Sequence, residues 1–383
     1  MPYFDHNATT PLTPAGRTAW LRAAEESWQN PSSPYRAAAR VRARLEQARE
    51  QVAEVIGCPA GRIVFNSGAT EGANAVFAHW ARTLPVGAGV AVNPTEHPCG
   101  LEAARAYFPA ERRAWIEVDR AGVVRLEHLE ALLHSGRMGA VSVMAANNET
   151  GVVQPWREIA ALCRRHRVDY HCDAAQWAGK LPADGLGDVD WVTASAHKFG
   201  GPKGAGWLKI AAPADGFRAQ AGGEQEHGHR GGTEDYPAIA ASVAALAEAE
   251  SAARSRAAGR ARWRDRFLAQ AGAALPGLRV AGAAAARLWN TASLILPHSA
   301  NHRWVTKLDR RGFQVSTGSA CATGRDGPSH VLAAMGVPAD EARRVIRISA
   351  GWATTEKEWQ ALVTALVEVE AELRAAADDA PGR

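Results

Sequence analysis

The sequence predicts an α/β fold with a mostly parallel sheet flanked by helices, followed by a smaller α+β unit. Short apolar segments such as residues 63–65 and 89–92 alternate with helical patterns, which is typical of strands buried on both faces. Beyond a long helical stretch near residues 237–271 this alternation ends, and strands and helices follow in another order. The length of 383 residues is enough for two hydrophobic cores.

Apolar periodicity and helix start and stop signals locate the individual elements. Predicted strands cover residues 63–65, 89–92, 140–145, 168–172, 191–194, 292–296 and 345–349. Predicted helices cover about residues 34–56, 69–84, 156–166, 237–271 and 304–311, with further helices near Glu102 and from Thr355. Gly57 and Pro59 end the first of these helices. Thr355 with Glu358 matches a capping box at the start of the last one.

Composition and charge exclude several classes of protein. A net charge of +4, with Arg and Glu interspersed, indicates neither a nucleic-acid surface nor a membrane surface. The sequence has no apolar run long enough to span a bilayer, and its N-terminus lacks the pattern of a signal peptide, so we expect a cytoplasmic protein. The five cysteines include no C-x-x-C pair, which argues against a zinc knuckle or a disulfide framework.

Polar residues cluster directly after four of the predicted strands, at residues 67–70, 147–149, 173–176 and 195–198. Ligands of open α/β sheets bind beyond the carboxyl ends of the strands, so we expect these clusters to meet in one site. Each cluster alone also fits an ordinary helix cap or turn. Their convergence therefore carries the prediction of a functional site.

Three of these clusters carry groups that suit a phosphorylated aldehyde cofactor. The helix start at Thr70 offers backbone N–H groups and a hydroxyl to a phosphate. Asp173, at the end of a buried strand, needs a cationic partner such as a protonated pyridine nitrogen, although a helix-cap role fits equally well. Lys198 is a residue type that forms a Schiff base with an aldehyde. Lys203 is its nearby competitor, and a solvated Gly-rich turn is the alternative.

Six segments occur along the chain in a fixed order: FNSGATE at 65–71, TEH at 95–97, NNETG at 147–151, HCDAAQ at 171–176, HK at 197–198 and GSAC at 318–321. Together they resemble the cysteine desulfurases, which are fold-type I pyridoxal-phosphate enzymes of the class V aminotransferase group. The resemblance runs from Tyr3 to the last helix and implies a mostly parallel seven-stranded sheet flanked by helices. It also implies a large cofactor-binding domain over residues 12–258, and a small α+β domain formed by residues 1–11 and 259–383.

The resemblance implies a role for each matching residue. Lys198 resembles the lysine that forms the Schiff base with pyridoxal 5'-phosphate, and Cys321 resembles the cysteine that receives the sulfur as a persulfide. His97 resembles the imidazole that stacks on the cofactor ring and takes part in proton transfer. The other residues implied to bind the cofactor are Asp173 at the pyridine nitrogen, Gln176 at the phenolic oxygen, and Ala69, Thr70, Ser195 and His197 around the phosphate.

Further implied contacts involve the substrate and a second subunit. Asn148 and Arg347 resemble the pair that binds the substrate carboxylate, and the planar fork of arginine suits a bidentate contact. Thr233 resembles the phosphate ligand that the other subunit of a homodimer donates. Glu224 and His227 stand where the family commonly has glycine and arginine, which bears on the phosphate environment and the dimer contact. Two nearby imidazoles without further ligands predict no metal site.

The implied activity is the conversion of L-cysteine to L-alanine, with the sulfur transferred to Cys321 and then to an acceptor protein or thiol. Iron–sulfur cluster assembly, tRNA thiolation, DNA sulfur modification and thio-cofactor synthesis are all open as the destination. Alternatives are a selenocysteine lyase, another C–S lyase or an aminotransferase and, from another class, a non-catalytic sulfur-carrier or scaffold protein. For Cys321 the alternative is a surface thiol in an ordinary loop.

Overall fold

The computed structural model describes residues 1–214, 216–318 and 329–378. Within these ranges the strands are β1 (Ile63–Asn66), β2 (Gly89–Val92), β3 (Arg113–Trp115), β4 (Met138–Ser142), β5 (Asp169–Asp173), β6 (Trp191–Ser195), β7 (Gly206–Lys209), β8 (Arg279–Val280), β9 (Thr291–Ile295) and β10 (Val345–Ser349). The α-helices are α1 (Pro14–Glu26), α2 (Arg36–Ile56), α3 (Ala69–Thr83), α4 (Pro98–Tyr107), α5 (Leu126–His134), α6 (Trp156–His166), α7 (Tyr236–Ala274), α8 (Asn301–Arg310), α9 (His330–Ala334), α10 (Ala339–Ala342) and α11 (Glu356–Asp378). Among these described helices, none has the length and apolar character needed to cross a bilayer.

The first seven strands form one sheet with the order β1-β7-β6-β5-β4-β2-β3. β7 pairs antiparallel with both of its neighbours, and the other neighbouring pairs are parallel. Successive residues of β6 pack into different apolar clusters, Trp191 on one side of the sheet and Val192 on the other. Burial on both faces explains continuous apolar strands such as β2, whose sequence is GVAV. The predicted mostly parallel seven-stranded sheet is thus confirmed.

The last three strands form a separate antiparallel sheet with the order β10-β9-β8. An apolar cluster around this sheet includes Phe4 from the N-terminus and Phe267 from the last part of α7. The first part of α7 packs into the core of the large sheet instead, through residues such as Leu246. The boundary predicted at residue 258 falls inside α7, and the division of the chain into two domains stays a prediction.

Several elements differ from the sequence-based expectations. β4 ends at Ser142 rather than at residue 145, although the N–H groups of Val143 and Ala145 still donate to main-chain oxygens of the β5 strand. The short edge strand β3 and the Gly-started β7 lack an apolar run long enough to predict them. Helix α1 was also not predicted, although Thr13 caps it and Pro14 is its first residue. The capping box at Thr355 is confirmed, since its hydroxyl and N–H both contact the carboxylate of the third residue after it.

Candidate active site

Lys198 lies directly after β6, in a short 3-10 turn. Its Nζ donates to the main-chain oxygens of Asn7 at 2.7 Å and Ala8 at 2.9 Å. Thr10 fixes the same N-terminal segment, because both its N–H and its hydroxyl donate to the main-chain oxygen of His197. The half-buried amine of Lys198 is therefore held between the end of the large sheet and the N-terminal segment of the chain.

The start of helix α3 lies against the end of β6. The Ala69 N–H donates to Ser195 Oγ at 2.8 Å. Gly68 has a φ of +135°, and a Cβ at this position would lie 3.0 Å from Ser195 Oγ, so the close approach depends on this glycine. Thr70 is exposed at the same helix end. The positive end of the α3 dipole thus lies beside the strand that leads to Lys198, as a phosphate site requires.

Asp173 is buried at the carboxyl end of β5. Its Oδ1 accepts from the Ala175 N–H at 2.8 Å, and within the described parts of the chain the hydrogen-bond partner of its Oδ2 is the thiol of Cys99 at 3.8 Å. Burial raises the pKa of Asp173, while the Ala175 N–H and the nearby charge of Lys198 oppose that rise. Burial and the charge of Asp173 raise the pKa of the adjacent Glu96 well above its usual range. A cationic ligand near Oδ2 would give the Asp173 carboxylate the charged partner that a buried carboxylate needs.

His97 caps helix α4, where its Nδ1 accepts from the Cys99 N–H at 3.2 Å. Burial, followed by the charges of Lys198 and His330, lowers the pKa of His97 to about 4. The imidazole is therefore neutral at physiological pH and carries its proton on Nε2. His330 also approaches this segment, because its Nε2 lies 2.8 Å from the main-chain oxygen of Glu96.

Asn7 links most of these groups, and sequence reasoning missed it. Its main-chain oxygen accepts from Lys198 Nζ and also from Gln176 Nε2 at 3.0 Å. Its Oδ1 accepts from the buried amine of Lys180 at 3.0 Å, and its Nδ2 donates to the main-chain oxygen of Asn148 at 3.1 Å. These contacts join residues more than 140 positions apart, so no local pattern could reveal them.

Arg347 of β10 is 1% exposed and faces the loop after β4. Its NH1 donates to the main-chain oxygens of Asn148 at 3.1 Å and Gly318 at 2.8 Å, and its NH2 pairs with Asp5 at 2.7 Å. Among the described residues, neither Arg347 Nε nor Asn148 Oδ1 has a hydrogen-bond partner. Buried polar atoms are nearly always paired, so these two are suited to a ligand.

Cys321 lies outside the described residues, but the residues on both sides of it approach one carboxylate. Ser329 Oγ donates to Glu149 Oε2 at 2.5 Å. A Cβ on Gly318 would lie 3.8 Å from the same oxygen. Gly318 has a φ of +94°, which favours glycine there. Gly318 and Ser329 therefore both lie beside Glu149, and the main-chain oxygen of Gly318 also accepts from the Arg347 guanidinium.

Thr233 is exposed, and it lines a cavity of about 220 Å³ together with Ser67. The two departures from the family lie in the preceding loop. Glu224 is exposed, and His227, at a φ of 55°, has its Nε2 3.4 Å from a Glu46 carboxylate oxygen. Between them, the buried side chain of Glu226 accepts from Arg49 at 2.6 Å and from the Phe65 N–H at 2.7 Å. The ion pair between Arg49 and Glu226 holds the loop against β1. Glu224 and His227, the two residues that depart from the family, are exposed instead.

Metal-type ligands come together once within the described parts of the chain, at Glu130, His134 and His166. This group lies on α5 and α6. Glu130 Oε1 is already paired with Arg165 at 3.2 Å, so a guanidinium occupies the carboxylate that a cation would need. We assign no function to it.

Comparison with known proteins identifies the class that this fold and site define. The aminotransferase class-V family model matches residues 2–362. A solved structure named a NifS-like protein superposes with a TM-score of 0.89 at 30% identity, covering 97% of this chain and 99% of the other. The chain belongs to the aminotransferase class-V family, whose members are pyridoxal-phosphate enzymes.

Within that family the similar proteins are cysteine desulfurases. A cysteine desulfurase of Cereibacter sphaeroides is 37% identical over 97% of this chain and 96% of the relative. A structure of SspA in complex with cysteine is 27% identical with a TM-score of 0.79, covering 91% of this chain and 98% of the other. These similarities support a cysteine desulfurase function.

Proposed function

We propose that this chain converts L-cysteine to L-alanine with pyridoxal 5'-phosphate and transfers the sulfur to Cys321 as a persulfide. The observation that carries the proposal is the convergence of an amine, a buried carboxylate and a buried guanidinium. Asp173 ends β5 and Lys198 follows the neighbouring strand β6, and Arg347 contacts the same N-terminal segment through Asp5. This arrangement would supply a cofactor lysine, an anionic partner and a carboxylate receptor within one site.

The residues present fit the cofactor. Pyridoxal 5'-phosphate, when bound, supplies an aldehyde and an electron-withdrawing ring. Lys198 would hold its aldehyde carbon, Asp173 its ring nitrogen and Gln176 its phenolic oxygen. The phosphate would contact Ala69, Thr70, Ser195 and His197, with Thr233 from the other subunit of a homodimer. The weakly paired Oδ2 of Asp173 supports this assignment, because a buried carboxylate needs a cationic partner.

We propose that Arg347 and Asn148 bind the substrate carboxylate. Support comes from the two polar atoms without a partner in the described part of the site, Arg347 Nε and Asn148 Oδ1. Burial of the guanidinium excludes water and strengthens its attraction for an anion. The carboxylate would thereby fix the substrate Cα near Lys198 Nζ, whose two carbonyl partners orient the amine for taking the α-proton. His97 would then move a proton through Nε2, since its Nδ1 is occupied.

Sulfur transfer is proposed for Cys321. Cys321 is the third residue after Gly318 in the sequence. Gly318 in turn contacts the guanidinium of Arg347. The Cys321 thiolate would attack the substrate sulfur, so that an S–S bond forms while the substrate C–S bond breaks. The electron pair of that bond stays with the three-carbon fragment, which takes up a proton and leaves as alanine.

The homodimer, the cytoplasmic location and the acceptor are part of the same proposal. The exposed position of Thr233 leaves it accessible to a second subunit. Large apolar side chains are also exposed near α1 and α2, namely Trp20, Leu21, Trp28 and Tyr35, as an interface between subunits requires. An acceptor protein or a small thiol would collect the persulfide sulfur from Cys321.

One experiment tests this function directly. Purified protein loaded with pyridoxal 5'-phosphate is incubated with L-cysteine, and the alanine formed is quantified. The mass of the peptide that contains residue 321 is measured by mass spectrometry. We expect one alanine per added sulfur atom in the first turnover, and no added sulfur in Cys321→Ser. Sulfide release at the wild-type rate by Cys321→Ser would indicate a C–S lyase instead. Failure of the wild-type protein to bind the cofactor would favour a non-catalytic protein.

A further inference from the structure

Lys180 lies outside the set of residues that the sequence predicts for the site, yet its amine lies inside the site. The residue is 3% exposed, and its Nζ donates to Asn7 Oδ1 at 3.0 Å and to Gln176 Oε1. The Trp289 indole N–H donates to the Lys180 main-chain oxygen at 2.9 Å, which fixes the backbone there. A buried lysine that uses its amine on an active-site amide requires an explanation, because burying an amine costs free energy.

The contact between Lys180 and Gln176 decides which way the Gln176 amide points. A primary amide has an acceptor end and a donor end, and only the acceptor oxygen can accept from an amine that donates. With Oε1 held by Lys180, the donor Nε2 must face the other way. It donates to the Asn7 main-chain oxygen at 3.0 Å, and the same oxygen accepts from Lys198 Nζ at 2.7 Å. The donor end of Gln176 therefore faces the cofactor lysine.

We propose that Lys180 is a positioning residue that holds Gln176 with Nε2 turned toward the phenolic oxygen of the bound cofactor. The inference rests on the proposed function, because it assumes that pyridoxal 5'-phosphate binds at Lys198. Without the Lys180 contact, the hydrogen bond from Nε2 to the Asn7 main-chain oxygen would alone oppose a flip of the amide that turns its carbonyl end toward the phenolic oxygen. The carbonyl end would then repel an oxygen that carries negative charge.

The hydrogen bond does not depend on the charge of Lys180. Burial, followed by the charges of Lys198 and Arg347, lowers the pKa of Lys180 well below its usual range. A neutral amine still has two N–H groups, so it can donate to both Gln176 and Asn7. The charged or titratable groups that face Lys180 and Lys198 are His6, His97, Asp173, His197 and Arg347.

The test is a double-mutant cycle on the absorbance of the lysine-bound cofactor. The measured quantity is the pH midpoint of its spectral change, for wild type, Lys180→Met, Gln176→Leu and the double variant. Loss of one donor to the phenolic oxygen makes that oxygen more basic, so each single variant should raise the midpoint by about 0.7 pH unit. If Lys180 acts through Gln176, the double variant should match Gln176→Leu, because the second substitution removes nothing further.

Controls separate this role from a general effect of charge or stability. Lys203→Met removes an exposed lysine from the turn that follows Lys198, and its midpoint should equal that of wild type. Lys180→Gln gives a second cycle if Lys180→Met does not fold. Additive shifts in the cycle, or an unshifted midpoint in a folded Lys180 variant, would overturn the proposal. Absence of lysine-bound cofactor in the wild-type protein would instead contradict the proposed function itself.

Discussion

Lys198 and Gln176 on one side of the site differ from Arg347 on the other side in how completely their polar atoms are paired. On the side of Lys198, the amine and the Gln176 amide share one carbonyl oxygen of Asn7, and Lys180 fixes the far end of that amide. On the side of Arg347, the guanidinium Nε has no partner among the described residues. The Lys198 amine and the Gln176 amide are therefore oriented before any ligand arrives, whereas the Arg347 guanidinium keeps hydrogen-bonding capacity for one.

The difference follows from the elements that build each side. Strands β5 and β6 end next to each other in the parallel sheet, so their polar residues meet through regular backbone geometry. The other side joins β10 of the small sheet to the loop after β4, through the contact between Arg347 and the main-chain oxygen of Asn148. We therefore expect cofactor binding to depend on the first side and substrate selection to depend on the second.

Lys198→Ala should produce the largest effect. Without the amine no covalent link to pyridoxal 5'-phosphate can form, so we expect the absorbance band of the lysine-bound cofactor to disappear and alanine production to cease. The measurement is the visible spectrum of the purified variant after loading. Lys203→Ala serves as the matched control, because that lysine is exposed in the following turn. An unchanged band in Lys198→Ala would assign the cofactor to another amine.

Arg347→Lys should affect the substrate side while sparing the cofactor side. Lysine cannot reproduce a buried fork that contacts Asp5, Asn148 and Gly318, and truncating such a contact costs about 2 kcal/mol or more. We therefore expect kcat/KM for L-cysteine to fall about 30-fold, with an unchanged cofactor spectrum. Arg343→Lys, at an exposed position of the same segment, should behave as wild type. A lost cofactor band together with an unchanged KM would mean that Arg347 supports cofactor binding rather than substrate binding.

The same contrast separates what the sequence could predict from what it could not. Lys198 and Asp173 were predictable, because each follows an apolar strand and strand ends of an α/β sheet converge. The role of Asn7 could not be predicted, since its partners lie at distant positions of the chain and only the folded structure joins them. Lys180 carried a weak signal, as a single lysine within the mostly apolar stretch AAQWAGKLPA. The contact between Glu149 and Ser329 joins residues 180 positions apart, and no sequence pattern indicated it.

The smallest expected effect concerns pH and again belongs to the cofactor side. Burial lowers the pKa of His97 to about 4, whereas an unfolded histidine titrates near 6.5. The unfolded state therefore binds the proton first as pH falls, and stability is lost between about pH 6.5 and pH 4. His6, His171 and His197 have lowered pKa values for the same main reason, which is burial, and they add to this loss.

His97 alone should lower the free energy of unfolding by about 1 kcal/mol when the pH falls from 7.5 to 5.5. Denaturant unfolding of the cofactor-free protein at both pH values measures the decrease in the free energy of unfolding. We expect this decrease to be about 1 kcal/mol smaller in His97→Asn, because asparagine does not titrate and keeps a side-chain acceptor for the start of α4. His302→Asn, at an exposed position of α8, should retain the wild-type decrease. Equal decreases in His97→Asn and wild type would mean that His97 is not kept neutral by burial, and its proposed proton transfer through Nε2 would lose its physical basis.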